Sequence, residues 1–261
     1  MRIGVILESG LYSGGGYQQE LSVALLLKKH QGDDSLKFIF YTSDKKNMDV
    51  LRACGIDAAY FRKYSFCNIV SLAFFQGWKA RKVFHAFRMI VSSFERTLLK
   101  DGIDFVYFLK PSFLSLVLSK MNYMITVWDL CHRDHPEFPE VGFGGEYEYR
   151  EYIYNNALKK ATAILTDSSL GRLNVVRRYG CDMDHVHEAR FFPLLDNSKS
   201  IDLDIKAKYS IKNPYVFYPA QLWPHKNHIY ILDALKCLQT KFGVAVDAVF
   251  SRVITDSRKV Q

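Results

Sequence analysis

Several features that would assign this chain at once are missing from it. No run of about 18 apolar residues occurs, so no transmembrane helix is expected. The opening MRIGVILESG lacks the long apolar core of a secretory signal and reads directly as a first strand. No segment repeats at a fixed period, and none is low in complexity. The five cysteines, Cys54, Cys67, Cys131, Cys181 and Cys237, include no C-x-x-C pair. Reduced, buried thiols of a cytosolic protein are the expectation. The dinucleotide pattern G-x-G-x-x-G is also missing, since Tyr17, Gln18 and Gln19 follow Gly16.

What is present is a chain of 261 residues, 49% of them hydrophobic, enough for a sizeable core. The net charge of +8 favours contact with phosphates, nucleic acid or an anionic membrane surface, and alone it discriminates poorly among these. Short apolar runs at 3–7, 37–41, 105–108, 124–128 and 163–166 read as strands. Helical segments at 17–30, 44–54, 146–159 and 169–179 separate them. Buried, non-alternating strands that alternate with helices predict a parallel sheet covered on both faces. This places one doubly wound, Rossmann-like domain over residues 1–193. A polar linker follows over 194–213, its best candidate stretch being 196–200. From 214 to 261 only strand 215–218, helix 227–241 and strand 244–250 can be read. A domain usually needs roughly 100 residues or more, so this part reads as the incomplete start of a second domain.

Three segments carry chemistry. The loop Gly14-Gly15-Gly16-Tyr17 joins the first strand to the first helix at the carboxyl edge of the sheet, where doubly wound folds bind ligands. Glycines there permit close backbone approach to an anion or a sugar hydroxyl; a tight turn without a ligand explains them equally well. The stretch WDLCHRDHPEFPE, from Trp128 to Glu140, follows the fifth strand and gathers Asp129, His132, Asp134 and His135. These suit acid/base work better than a metal, because no fourth ligand stands at a recognisable spacing. His-Arg-Asp also occurs in kinase catalytic loops, but no kinase lysine strand accompanies it here. His185 and His187, flanking Val186, read as exposed strand residues. In YVFYPAQLWPHKNH a strand runs through a loop into a helix N-terminus, a place to hold a phosphate, with Lys226 within reach. Residues 66–100 combine aromatic and basic side chains. Such a helix lies in a membrane interface or, more commonly, packs in the domain.

Taken together, SGGGYQQE, WDLCHRDHPEFPEV, ATAILTDSS and YPAQLWPHKNH, in that order, resemble a retaining glycosyltransferase of family 4 with GT-B architecture. The resemblance runs from Met1 to about Phe250. It implies a GT-B-type α/β protein, with an acceptor-side Rossmann-like domain first and a donor-binding one second. It implies transfer from a nucleotide-sugar to a saccharide or lipid-linked acceptor in surface polysaccharide or glycolipid assembly. No cofactor and no metal are implied, since the nucleotide-sugar is a co-substrate, and no nucleic acid is a partner. The implied location is cytoplasmic, with peripheral contact at the anionic inner membrane face left open. Gly15 and Gly16 match the loop against the donor diphosphate and acceptor, and Lys226 matches the diphosphate lysine. Gln221 stands where many members have arginine. The cleft acid or histidine matches Asp129 or His132, and Trp128 takes a place where many members carry histidine. The paired glutamates of E-x7-E have no counterpart, and the tail SRVITDSRKVQ loses the expected character. The chain therefore reads as truncated, with low or no activity by itself. One rival is a non-catalytic acceptor-binding or membrane-docking subunit of a split glycosyltransferase. A nucleotide-dependent epimerase or dehydrogenase fits less well.

Overall fold

A computed structural model describes residues 1–11, 15–31, 35–66, 68, 92–192 and 204–251. Contacts divide the chain into two units: Met1–Asp134 with Gly145–Leu194, and His135–Gly144 with Leu195–Gln261. The segment His135–Gly144 falls inside the span expected for the first domain but groups with the second unit.

In the first unit β1 (Arg2–Leu7) has five consecutive buried residues. It is followed by α1 (Gly15–Lys29), β2 (Lys37–Thr42), α2 (Lys45–Ala53), β3 (Ala58–Tyr60) and α3 (Ser93–Lys100). Next come β4 (Phe105–Phe108), β5 (Asn122–Val127) and α4 (Cys131–Asp134); α5 (Pro139–Gly142) belongs to the second unit. The first unit closes with α6 (Glu146–Ala157), β6 (Ala163–Thr166), α7 (Ser169–Tyr179) and β7 (Val186–Glu188). The seven strands form one sheet in the order β3-β2-β1-β4-β5-β6-β7, with every pairing parallel. The strand order reverses between β1 and β4, which opens a crevice at the carboxyl edge.

Successive residues of β1 feed two different cores. Ile6 packs with Phe108, Leu114, Ile125 and Val175, whereas Val5 and Leu7 pack with Phe40, Leu51 and Tyr107. That division is why the strands show no apolar/polar alternation. Each fully buried Leu or Ile contributes about 1.5–3 kcal/mol relative to exposure. Polar anchors fix the connections. Ser92 caps α3 by accepting from the Glu95 amide at 3.0 Å. The buried Glu95 carboxylate in turn accepts from the Ser119, Lys120 and Met121 amides, which pins the turn into β5. Ser168 caps α7, and Gly180, at φ 62, ends it in the left-handed region that glycine enters without strain.

The described part of the second unit also contains α8 (Ile205–Tyr209), β8 (Tyr215–Tyr218), α9 (His228–Phe242) and β9 (Asp247–Phe250). β8 and β9 pair in parallel as a separate two-stranded sheet. Asp247 opens β9 by accepting from the Asn213 amide at 3.2 Å and its side-chain Nδ2 at 3.0 Å. Val216, Phe217, Ile229 and Tyr230 are exposed.

The α/β class and the parallel, Rossmann-like sheet follow the sequence expectation. Most limits shift by one or two residues, and in three places the reason is visible. The fifth strand is Asn122–Val127, because Trp128 leaves the ladder and its indole donates to the Leu109 carbonyl at 2.9 Å. The last strand begins at Asp247, since pairing starts there opposite Tyr215. The helix from Glu146 ends at Ala157 and tightens into a 3-10 turn, Leu158–Lys160. Among the described cysteines, all free, only Cys181 is buried; Cys54, Cys131 and Cys237 are partly exposed. Gly14, Cys67, most of the basic aromatic stretch (69–91), the linker stretch 196–200 and the tail beyond 251 lie outside the described residues. Of that stretch, α3 is the main described part. No helix among the described residues is long and apolar enough to cross a membrane.

Candidate active site

The carboxyl edge of the seven-stranded sheet carries a cavity of about 650 Å³. It is built from the start of α1 (Gly16, Tyr17, Gln18, Gln19), the residues just past β5 (Trp128, Asp129) and those past β7 (Phe191, Phe192). Gly16 permits this geometry. A Cβ there would lie 2.7 Å and 2.9 Å from two carbons of the Trp128 ring. The indole is fixed from behind by its bond to Leu109. Asp129 is half-exposed, pairs with Arg150 at 2.9 Å and accepts from the Cys131 amide at 2.9 Å. Its charge is therefore already answered. None of the described lining residues is cationic. Four aromatic rings with two amides and a compensated carboxylate suit the apolar C–H faces and hydroxyls of a neutral saccharide better than a diphosphate.

Beneath this wall lies a polar relay that the sequence reading did not single out. Glu20, fully buried on α1, accepts from the Glu8 amide at 3.0 Å and from the Ser9 hydroxyl at 2.6 Å. Lys110, just past β4, donates to the Ser9 hydroxyl at 3.2 Å. Burial pushes the Glu20 carboxyl up, against the pull of Lys110 and the Ser9 bonds. The signal available in the sequence was an acid on the apolar side of α1 and a lysine directly after an apolar strand. Beside the relay, the Glu8 carboxylate pairs with Lys63 at 2.5 Å.

The other predicted acid/base residue sits differently. His132 is 1% exposed on α4 and does not line the cavity. Its Nε2 lies 2.9 Å from the Glu151 carboxylate and 3.1 Å from the Tyr179 hydroxyl, while Nδ1 is buried without a partner. The tyrosine hydroxyl itself donates to Glu151 at 2.7 Å. Nε2 therefore carries the hydrogen, and Nδ1 is a bare lone pair. Burial pushes the imidazole pKa down, although Glu151 pulls the other way. Glu151 also accepts from Arg133, whose guanidinium is the main reason its carboxyl is held down to about 2. Asp134 pairs with Arg178. Among the described residues, no group of three or more His, Cys, Asp or Glu side chains is placed to hold a metal ion.

Lys226, Gln221 and the helix they precede belong to the second unit. A 3-10 turn, Pro224–Lys226, leads into α9, whose cap Asn227 takes φ 48 and accepts from the Tyr230 amide at 3.3 Å. The Tyr218 hydroxyl donates to the Lys226 carbonyl at 3.0 Å and closes the loop. The Lys226 side chain is exposed. His185 ends the turn Met183–His185, and His187 lies exposed on β7.

No family model and no curated protein matches this sequence. Solved structures do match it. A glycosyltransferase from Rickettsia africae ESF-5 aligns with a TM-score of 0.51 and 13% identity, over 96% of this chain and 68% of that one. A UDP-GlcNAc 2-epimerase from Methanocaldococcus jannaschii gives 0.55 and 11%, over 97% and 66%. A UDP-N-acetylglucosamine 2-epimerase from Rickettsia bellii gives 0.51 and 12%, over 96% and 62%. At such identities the likeness is one of fold, and the fold is of the GT-B type. The chain spans about two thirds of the length of these structures.

Proposed function

We propose that the protein is a glycosyltransferase that passes a sugar from a nucleotide-sugar to a saccharide or lipid-linked acceptor. Retention of anomeric configuration comes with the family-4 resemblance. The observation that carries the reading is the neutral, aromatic-walled cavity against Gly16 and Trp128 at the carboxyl edge of a parallel sheet. In this reading the cavity takes the acceptor. Gly16 and Tyr17, the described lining residues of the glycine loop, bring backbone close to it, and Asp129 is the acid that meets it. His132, three residues after Asp129 and bonded to Glu151 and Tyr179, holds the segment that follows that acid. Lys226, beside Gln221 at the head of α9, takes the donor diphosphate and stabilises the leaving group by charge. No metal or cofactor is invoked. The chemistry belongs to surface polysaccharide or glycolipid assembly at the cytoplasmic side of a membrane.

Two of the structural neighbours are nucleotide-sugar epimerases, which gives a second reading its one supporting observation. The deciding experiment incubates the full chain with UDP-, GDP- and dTDP-sugars and a mixed saccharide acceptor pool, then analyses products by mass spectrometry and NMR. A glycoside with the donor's anomeric configuration supports the proposal. An epimerised donor without transfer replaces it with the second reading. Acceptor binding without turnover leaves a binding subunit of a split enzyme.

A further inference from the structure

We infer that Ser22 is the residue by which the cavity selects its sugar: its hydroxyl, at the deep end, bonds one ring hydroxyl of a neutral pyranose lying against the Trp128 indole. The inference rests on the reading of this cavity as the acceptor site.

Helix α1 turns two sides to two tasks. Glu20 points to the end of β1, where its carboxylate accepts from the Glu8 and Ser9 amides at 3.0 Å and 3.1 Å. Gln18, Leu21 and Ser22, spaced as neighbours on one helical face, line the cavity instead. Along that face the exposure falls: Gln18 is exposed, Leu21 is 6% exposed and Ser22 is 2% exposed. Phe191 and Phe192, which also line the cavity, keep 38% and 37% of their surface. The cavity therefore opens beside Gln18 and the two phenylalanines, and Ser22 marks its deep end.

The other buried serines among the described residues are engaged. Ser92 accepts from the Glu95 amide at 3.0 Å, and Ser112 accepts from the Leu114 amide at 3.1 Å. Ser115 donates to the Ser112 carbonyl at 2.7 Å. For the Ser22 hydroxyl no hydrogen bond occurs among the described residues. A buried hydroxyl without a partner costs free energy. Serine is also a poorer helix former than alanine, which α1 buries fully two residues later at Ala24. On both counts serine at position 22 works against the fold. Its outlet is the cavity, where it is the deepest hydrogen-bonding side chain.

The partner this group suits is a sugar hydroxyl and not an anion. No described lining residue is cationic, and Asp129 is already paired with Arg150. A serine hydroxyl both donates and accepts, so it meets a ring hydroxyl in either sense. The Trp128 indole, fixed by its bond to the Leu109 carbonyl, offers a flat surface to the C–H face of the same ring.

The probes are the methyl glycosides of glucose, galactose, mannose and N-acetylglucosamine, titrated into the full chain by saturation-transfer NMR. The monodeoxy analogues of whichever binds tightest follow. In the wild type one analogue should bind about three- to tenfold more weakly than its parent, the scale of one neutral hydrogen bond. In Ser22→Ala the parent should fall to that analogue's affinity, and the difference between the two should vanish while the other ratios persist. A packing defect alone would weaken parent and analogues alike and keep every ratio. Thermal melting adds a readout without ligand: Ser22→Ala should match or exceed the wild-type Tm, because the hydroxyl holds nothing in the fold. Wild-type ratios kept in Ser22→Ala, no weakened analogue in the wild type, or a Tm lowered by several degrees overturns the role of Ser22 and leaves the cavity reading standing. Binding of none of the glycosides overturns the cavity reading and the role of Ser22 with it.

Discussion

Gly16 and Trp128 approach so closely that a methyl group on the glycine would stand 2.7 Å from the indole ring. One residue opens α1 and the other follows β5, and between them they set one wall of the cavity. Alanine at position 16 must displace the indole, which also lines the cavity. Gly16→Ala should therefore weaken saccharide binding about tenfold or more, with a loss of about 1–3 kcal/mol of stability from overpacking. Trp128→Phe removes the offending ring atoms, so the double variant should lose less than the two single losses added together. Saccharide titrations by calorimetry check both points, and strict additivity would refute the contact.

Asp129 and His132 should separate in their effects. Asp129 is half-exposed at the cavity, whereas His132 is enclosed by Glu151, Tyr179, Tyr147 and Tyr154. Asp129→Asn should lower turnover at least about 100-fold, the usual scale of acid/base loss, with little change in Tm. His132→Ala should lower Tm by several degrees, because a buried polar network loses its centre. Thermal melts and initial rates on the two variants distinguish these roles.

Acid should reveal Glu151. Its carboxyl is held down to about 2, first by Arg133, against an ordinary value of 4.5. A depressed folded value stabilises the fold fully above 4.5, and that stabilisation is lost as pH falls from there toward 2. Glu151→Gln should destabilise the protein by about 1–3 kcal/mol near neutrality, the range for bonds to a charged group. The variant should also show a shallower decline of stability over the same acidic window. Urea unfolding as a function of pH measures both, and parallel curves for the two proteins would contradict the assignment.

Lys226→Ala should reduce kcat/KM by about 10- to 100-fold, the equivalent of one charge-assisted contact of about 1.5–3 kcal/mol. Gln221→Arg should leave activity unchanged or raise it, since it restores a charge to the same loop. A loss under twofold for Lys226→Ala would remove the lysine from the diphosphate role.

The strands were legible because they are buried on both sides. Runs such as FVYF and AILT have no other place in a folded chain, and their observed limits coincide with the apolar runs; YVFY forms a strand over the same limits although it is mostly exposed. Helix α7 was legible through its punctuation, Ser168 before it and Gly180 after it. The acid/base grouping was not. Asp129 and His132 are neighbours in sequence, yet one faces a cavity and the other is sealed beneath the surface, and only packing decides that. Glu151 reaches His132 and Tyr179 at sequence separations of 19 and 28, and Glu140 reaches His225 at a separation of 85. No local pattern encodes such partners. The Glu20–Ser9–Lys110 relay left a faint trace, an acid and a lysine at positions where apolar residues would otherwise serve.

The strand order also governs how the molecule is made. β1 ends at Leu7, but one of the two strands that flank it, β4, is not complete until Phe108. At a synthesis rate of about 5–20 residues per second, the nascent β1 waits on the order of 5–20 seconds for that neighbour to leave the ribosome. During translation the N–H and C=O groups along that edge of β1 have no native partner. Unlike a chain built from hairpins, this one completes β2 between its two neighbours, once Tyr60 is made, before β1 gains its second.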